Sequence, residues 1–94
     1  MLKRPSSPTP ETVIKSDAMM KELDLVALRH DAADHGLLAG DIGTVVMVHG
    51  AGEGYEVEFV TSSGETVAVL SLAASEVRPL AGREILHARE LTVA

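Results

Sequence analysis

The chain has 94 residues, no cysteine and a formal net charge of −6, and residues 21–80 carry ten acidic against three basic side chains. This length supports one small domain, and the lack of cysteine excludes disulfides and thiolate metal sites. The acidic balance disfavours binding to nucleic acid, whose phosphates are bound through Lys and Arg, and no apolar run is long enough for a membrane span, so we expect a cytoplasmic protein.

The N-terminal residues differ in composition from the rest of the chain. Pro5, Pro8 and Pro10 alternate with Ser and Thr, a composition that resists both helix and sheet. We therefore predict a flexible extension over residues 1–19, with a short helix over residues 11–19 as the alternative. The folded domain is then expected over residues 20–80, followed by a tail over residues 81–94.

Short apolar segments separated by turn residues predict a chain made of strands. The third segment alternates cleanly, with Tyr55, Val57 and Phe59 on one face and Glu56 and Glu58 on the other. A 3₁₀ turn is expected between the last two strands. The five predicted strands lie at residues 25–28, 42–48, 54–60, 66–72 and 77–79.

Four residues are predicted to form turns or bends. Gly40 and Asp41 make a tight turn before the second strand, with Gly40 at positive φ. Gly43 lies inside that strand and indicates a bulge or the close approach of another backbone. Gly64 is expected at a left-handed position in the hairpin before the fourth strand.

The number and spacing of these elements predict an all-β fold, a small five-stranded SH3-like barrel. The tail contains Ile85, Leu86, Ala88 and Leu91 at mixed helical spacing. We expect it to form either a short helix docked on the barrel or paired with another copy, or a frayed terminus.

The segment order resembles a bacterial family of small single-domain proteins, the domain-of-unknown-function family numbered 4926. Residues 20–24 (MKELD), 34–37 (DHGL), 40–46 (GDIGTVV) and 55–59 (YEVEF) carry the resemblance, which covers about residues 20–80. Asp34 stands where the family more often has Glu. The resemblance implies an SH3-like fold and, with no established activity, an interaction module paired with a neighbouring gene product such as a toxin.

A metal site is one candidate function. His30, Asp31, Asp34 and His35 are the only concentration of metal-ligand side chains, and two imidazoles with two carboxylates suit Zn²⁺ or Mn²⁺. Their spacing matches no strong motif, and an exposed loop needs such polar residues for solvation and turns. We therefore predict no metal ligands and no other cofactor.

Protein binding is the function that the pattern favours. Val67, Val69, Leu70 and Leu72 make the fourth strand apolar on both faces, so one side is expected to be covered by the tail or by another subunit. We predict a non-catalytic interaction module that binds a protein partner or a second copy, with Glu56, Glu58, Asp34 and His35 as contact residues. A KOW-like nucleic-acid or ribonucleoprotein-associated domain is the alternative, and a metal site at residues 30–35 is the third.

Overall fold

Five strands form the domain, and the computed structural model describes residues 20–92. The order of the five strands and the 3₁₀ turn Ala74–Glu76 before the last of them are as predicted, and the loop between the first two strands contains a second 3₁₀ turn, Ala33–His35, that the sequence did not predict. Within the described residues, no helix has the length and apolar character needed to cross a membrane. The strands are β1 (Leu25–Leu28), β2 (Ile42–His49), β3 (Gly54–Val60), β4 (Thr66–Ala73) and β5 (Val77–Pro79).

All five strands belong to one antiparallel sheet in the order β4-β3-β2-β1-β5, which confirms the all-β class. The consecutive strands β2, β3 and β4 are joined by short hairpin loops, because turn residues follow each of the first two at once. β1 lies between β2 and β5, so the last strand of the domain returns to pair with the first. Closure of this sheet into an SH3-like barrel stays a prediction.

One face of the sheet forms the core. The alternation in β3 places Tyr55 and Val57 in full burial and leaves Phe59 only 2% exposed. The backbone N–H of the buried Met20 donates to the Tyr55 hydroxyl, which ties the entry of the domain to the centre of the sheet. The core cluster consists of Met20, Val26, Leu28, Leu37, Val45, Tyr55, Val57, Phe59 and Val77.

The register of the sheet shifts at two places. In β2 the register shifts between Val45 and Met47, three residues beyond the glycine at which the sequence suggested a bulge or a close approach. Gly43 itself is a place of close approach, since a Cβ there would lie 2.6 Å from Val57 Cγ1 and 3.0 Å from the Glu58 carbonyl oxygen. The second irregularity, in β4, leaves Val67 between the paired residues on either side of it.

The two predicted turn glycines lie in the conformation for which glycine is suited. Gly40 has a φ of 92°, and its N–H donates to the carbonyl of Leu28, which closes the turn before β2. Gly64 has a φ of 94° in the hairpin between β3 and β4, where its N–H donates to the carbonyl of Thr61. Both turns therefore set the start of the strand that follows.

The ends of the chain differ in what the structure describes. The predicted flexible extension, and its helical alternative, lie outside the described residues. Residues 81–92 contain one turn and no helix, so the helical alternative for the tail is wrong over that range. Ile85 is 94% exposed and Leu86 60% exposed, and a short helix without a packed apolar face is only marginally stable in water.

Candidate functional site

Glu56 and Glu58 project from the outer face of the sheet. Their neighbours along β3 point into the core, and the two-residue period of a strand directs the glutamates to the opposite side. Across the sheet, Glu56 pairs with Met47 on β2 and Glu58 pairs with Val69 on β4. Both carboxylates therefore lie on one surface, as the alternation of residues in β3 predicted.

A network of hydrogen bonds fixes the Glu56 side chain. The Ser71 hydroxyl donates to Glu56 Oε2, and His49 Nε2 lies 2.7 Å from the same oxygen. These contacts, with the Ser71 hydrogen bond as the larger cause and the His49 hydrogen bond next, lower the pKa of Glu56 below its usual value of 4.5. Glu56 is therefore ionised throughout the physiological pH range.

The second carboxylate has a partner of the same kind. The Thr66 hydroxyl donates to Glu58 Oε2 over 2.7 Å. Thr66 and Ser71 both belong to β4, so this strand supplies one hydroxyl to each glutamate of β3. Because both donors stand on a paired strand, the two negative charges have restricted positions rather than freely rotating side chains.

Exposed apolar side chains surround these carboxylates. Met47 is 49% exposed and Val69 is 51% exposed, and each pairs directly with one of the glutamates. Val46, at the irregularity in β2, is also 40% exposed. We call the surface formed by Met47, Glu56, Glu58 and Val69 the acidic face.

The other two predicted contact residues, Asp34 and His35, lie in the loop between β1 and β2. Asp34 and His35 are exposed in the 3₁₀ turn, and no hydrogen bond or ion pair in residues 20–92 joins them to Glu56 or Glu58. One contact surface was predicted to include both the loop and the strand. Within the described residues, no hydrogen bond or ion pair links these two parts of it.

The metal-site candidates do not gather. His30, Asp31, Asp34 and His35 are all exposed, and the carboxylate of Asp31 accepts the N–H of Ala39 over 2.8 Å. Among residues 20–92, no group of three or more His, Asp or Glu side chains is arranged to hold a metal ion. Asp31 instead joins the beginning of this loop to its end through the hydrogen bond from Ala39.

The contact between Arg89 and Asp41 was not predicted from the sequence. Arg89 Nε donates to Asp41 Oδ1 over 2.9 Å, Arg89 Nη2 donates to Oδ2 over 2.6 Å, and Nη2 also donates to the Gly36 carbonyl over 2.9 Å. Asp41 Oδ2 accepts the Leu38 N–H as well. The Arg89 hydrogen bond is the main reason why the pKa of Asp41 is lowered from its usual value of 3.8.

The missed partners of the glutamates left a weak trace in the sequence. His49, Thr66 and Ser71 are polar residues within or at the ends of apolar strands, which is where cross-strand partners of an outer-face carboxylate must lie. Their identity depends on the strand register, and the irregularity in β4 shifts that register. Arg89 lies 48 residues from Asp41 and left no comparable trace.

A known protein family covers the five-stranded domain. A family model, described as Domain of unknown function (DUF4926), matches residues 22–79, which is more than half of the chain. The chain belongs to this family. The match runs from just before β1 to the end of β5, so all five strands of this DUF4926 domain lie inside it.

Some of the residues described above lie inside the range that the family model matches, and others lie beyond it. The acidic face and Asp41 lie within the matched DUF4926 residues, whereas Arg89 and the exposed Ile85 and Leu86 lie beyond them. Neither the comparison with curated proteins nor the comparison with solved structures found a match. The family resemblance predicted from the sequence is confirmed.

Proposed function

We propose that this DUF4926 domain is a non-catalytic protein-interaction module whose acidic face binds a partner that presents basic side chains. The observation that supports it is the pairing, on one outer face, of two hydrogen-bonded carboxylates with two half-exposed apolar side chains. Lys and Arg combine an aliphatic stem with a charged end, so their stems contact Met47 and Val69 while their charges meet the carboxylates.

The fixed positions of the carboxylates favour binding. A side chain that is already held loses less conformational entropy when a partner docks than one that rotates freely. The Ser71 and His49 contacts hold Glu56, and the Thr66 contact holds Glu58. The excess of acidic side chains in residues 21–80 adds long-range attraction for a basic partner and raises the association rate.

The arrangement of Ser71, Glu56 and His49 also supports a non-catalytic role. In a nucleophilic triad, the imidazole accepts the proton of the serine hydroxyl and the carboxylate orients the imidazole. Here the Ser71 hydroxyl donates to the carboxylate, and His49 Nε2 contacts the same carboxylate oxygen. The hydroxyl is therefore directed to a carboxylate whose lowered pKa makes it a weak base, and not to the imidazole, an arrangement that suits binding geometry better than nucleophilic attack.

The test compares two double variants of the tagged full chain. Glu56→Gln with Glu58→Gln removes the charges of the acidic face, and Glu22→Gln with Glu90→Gln removes the same charge from exposed positions elsewhere. Partners are captured from native lysate treated with nuclease, and the product of a neighbouring gene is tested first. The affinity of the purified partner is then measured at low and high salt by titration calorimetry.

We expect the acidic-face variant to weaken binding by about tenfold or more, and the control variant by less than about twofold. The wild-type affinity should fall with added salt because the contacts are between exposed charges. Equal loss in both variants would contradict the acidic face as the binding surface. Capture only of RNA-bound proteins that disappear after nuclease treatment would favour the KOW-like alternative instead.

A further inference from the structure

The C-terminal tail is attached to the domain at two places. At its root, Arg78 Nη1 donates to Glu84 Oε1 over 2.9 Å, and the N–H of Ala81 donates to the same oxygen over 2.7 Å. Further along, Arg89 binds Asp41 and the Gly36 carbonyl through its planar guanidinium. Between these attachments lie residues 85–88, all of which are exposed.

Two large aliphatic side chains occupy this connecting segment. Ile85 is 94% exposed and Leu86 is 60% exposed, so more than half of each residue stays in water. Large neighbouring apolar side chains that stay in water are a recognised mark of an interaction site. The segment is also short and lacks helix and strand, so it has the character of a hinge between two fixed points.

The site that receives Arg89 is built by the domain without help from the tail. Asp41 is held by the Leu38 N–H, and the neighbouring turn is closed by the hydrogen bond from Gly40 to Leu28. Two parallel N–H donors meet two carboxylate oxygens, the geometry for which arginine is selected. An arginine supplied by a second copy of the chain would make identical contacts there.

We propose that residues 85–92 exchange between two copies of the chain, so that Arg89 of each copy binds Asp41 and Gly36 of the other. The exchanged contacts equal those lost within one chain, which is why such exchange is a low-cost route to a dimer. The two hinge segments then pass each other at the two-fold axis, where Ile85 and Leu86 of both copies become buried between the two chains. This surface is separate from the acidic face, so the proposal goes beyond the proposed function.

The charge pair allows a complementation test. Asp41→Arg and Arg89→Asp each place like charges at the contact, within one chain and between two identical chains alike. In an equimolar mixture, the intact Arg89 of the first variant meets the intact Asp41 of the second, and the two substituted positions also carry opposite charges. Association is measured for the full-length chains by sedimentation velocity over about a hundredfold range of concentration.

We expect the wild type to dimerise with increasing concentration, each variant alone to lose at least about tenfold in dimer affinity, and the mixture to recover a heterodimer. Ile85→Ser with Leu86→Ser should weaken the dimer, and Arg83→Asp, in an exposed arginine of the same tail, should leave it unchanged. Glu56→Gln with Glu58→Gln should also leave the dimer intact, so this proposal and the proposed function fail separately.

Three results would overturn the exchange. The first is a wild type that stays monomeric at every concentration, and this result does not depend on whether any variant folds. A dimer that is insensitive to Arg89→Asp shows that association does not use the Arg89 contact. A mixture that sediments as monomers, although each variant keeps the circular dichroism spectrum of the wild type, shows that Arg89 binds only the Asp41 of its own chain.

Discussion

Gly43 shows how one residue type can be required by packing alone. Its place inside β2 has no φ in the left-handed region, so the backbone conformation does not demand glycine. What demands it is the neighbouring strand, since a Cβ would meet Val57 Cγ1 at 2.6 Å and Phe59 Cε2 at 2.8 Å. The two contacted side chains are buried in the core, and because protein cores are close-packed, displacing them costs free energy.

Gly43→Ala is therefore expected to lower the free energy of unfolding by about 2–4 kcal/mol, because either the core side chains or the strand backbone must shift. Gly82→Ala is the matched control, since nothing lies within 4 Å of a Cβ at that position. It should change stability by less than about 0.5 kcal/mol. Urea unfolding followed by circular dichroism measures both, and equal stability of the two variants would contradict the close approach at Gly43.

β4 shows how an irregularity changes which face an element presents. The sequence predicted a strand that is apolar on both faces, and this is wrong for Val67. Because the register shifts beside it, Val67 packs against the core together with its neighbour Ala68. Leu70 and Leu72 also pack against the core, so Val69 is left as the half-exposed apolar residue of the outer face.

Two adjacent positions in β4 test this alternation. Leu70→Ala should lower the free energy of unfolding by about 2 kcal/mol, because it removes core packing opposite Val57. Val69→Ala removes an outer-face side chain and should cost less than about 1 kcal/mol. Thermal melts of the two variants provide the measurement. A larger loss in Val69→Ala than in Leu70→Ala would mean that the register of β3 and β4 is shifted by one residue.

At the scale of the whole molecule, three carboxylates link separate parts of the structure: Asp41 links the turn before β2 to the tail, Glu56 links β3 to β4, and Glu84 links the tail to β5. The pKa values of Asp41, Glu56 and Glu84 are lowered mainly by hydrogen bonds from Arg89, Ser71 and Arg78 respectively. A folded-state pKa below the unfolded value means that the unfolded chain binds more protons on acidification. Their stabilising contribution is therefore present above the usual values of 3.8 and 4.5 and is lost as the pH falls below them.

We expect the free energy of unfolding of the wild type to decrease as the pH falls from about 5 to about 2. A variant with Asp41→Asn, Glu56→Gln and Glu84→Gln should be less stable at neutral pH and show a shallower decrease over the same range. Denaturant unfolding at a series of pH values measures both curves. Parallel curves would show that these three groups do not hold lowered pKa values in the folded protein.

The family, the all-β class and the strand positions followed from the sequence by itself, and the reason is that each depends on local pattern. A period of two in β3 separates Tyr55 and Val57 from Glu56 and Glu58 whatever the neighbouring strands do. Gly40 and Gly64 predict turns because few other residues adopt positive φ at low cost in free energy. These signals are carried by residues next to one another in the chain.

Only the tertiary structure decided the partners of the charged groups. The contact of Arg89 with Asp41 joins residues 48 positions apart, and the contact of Ser71 with Glu56 depends on the register of two strands. The extended tail is a further example, since the mixed spacing of Ile85 and Leu86 allowed a helix that no packing surface supports. Local pattern selects each element, but which side chains meet depends on how the completed sheet brings distant elements together.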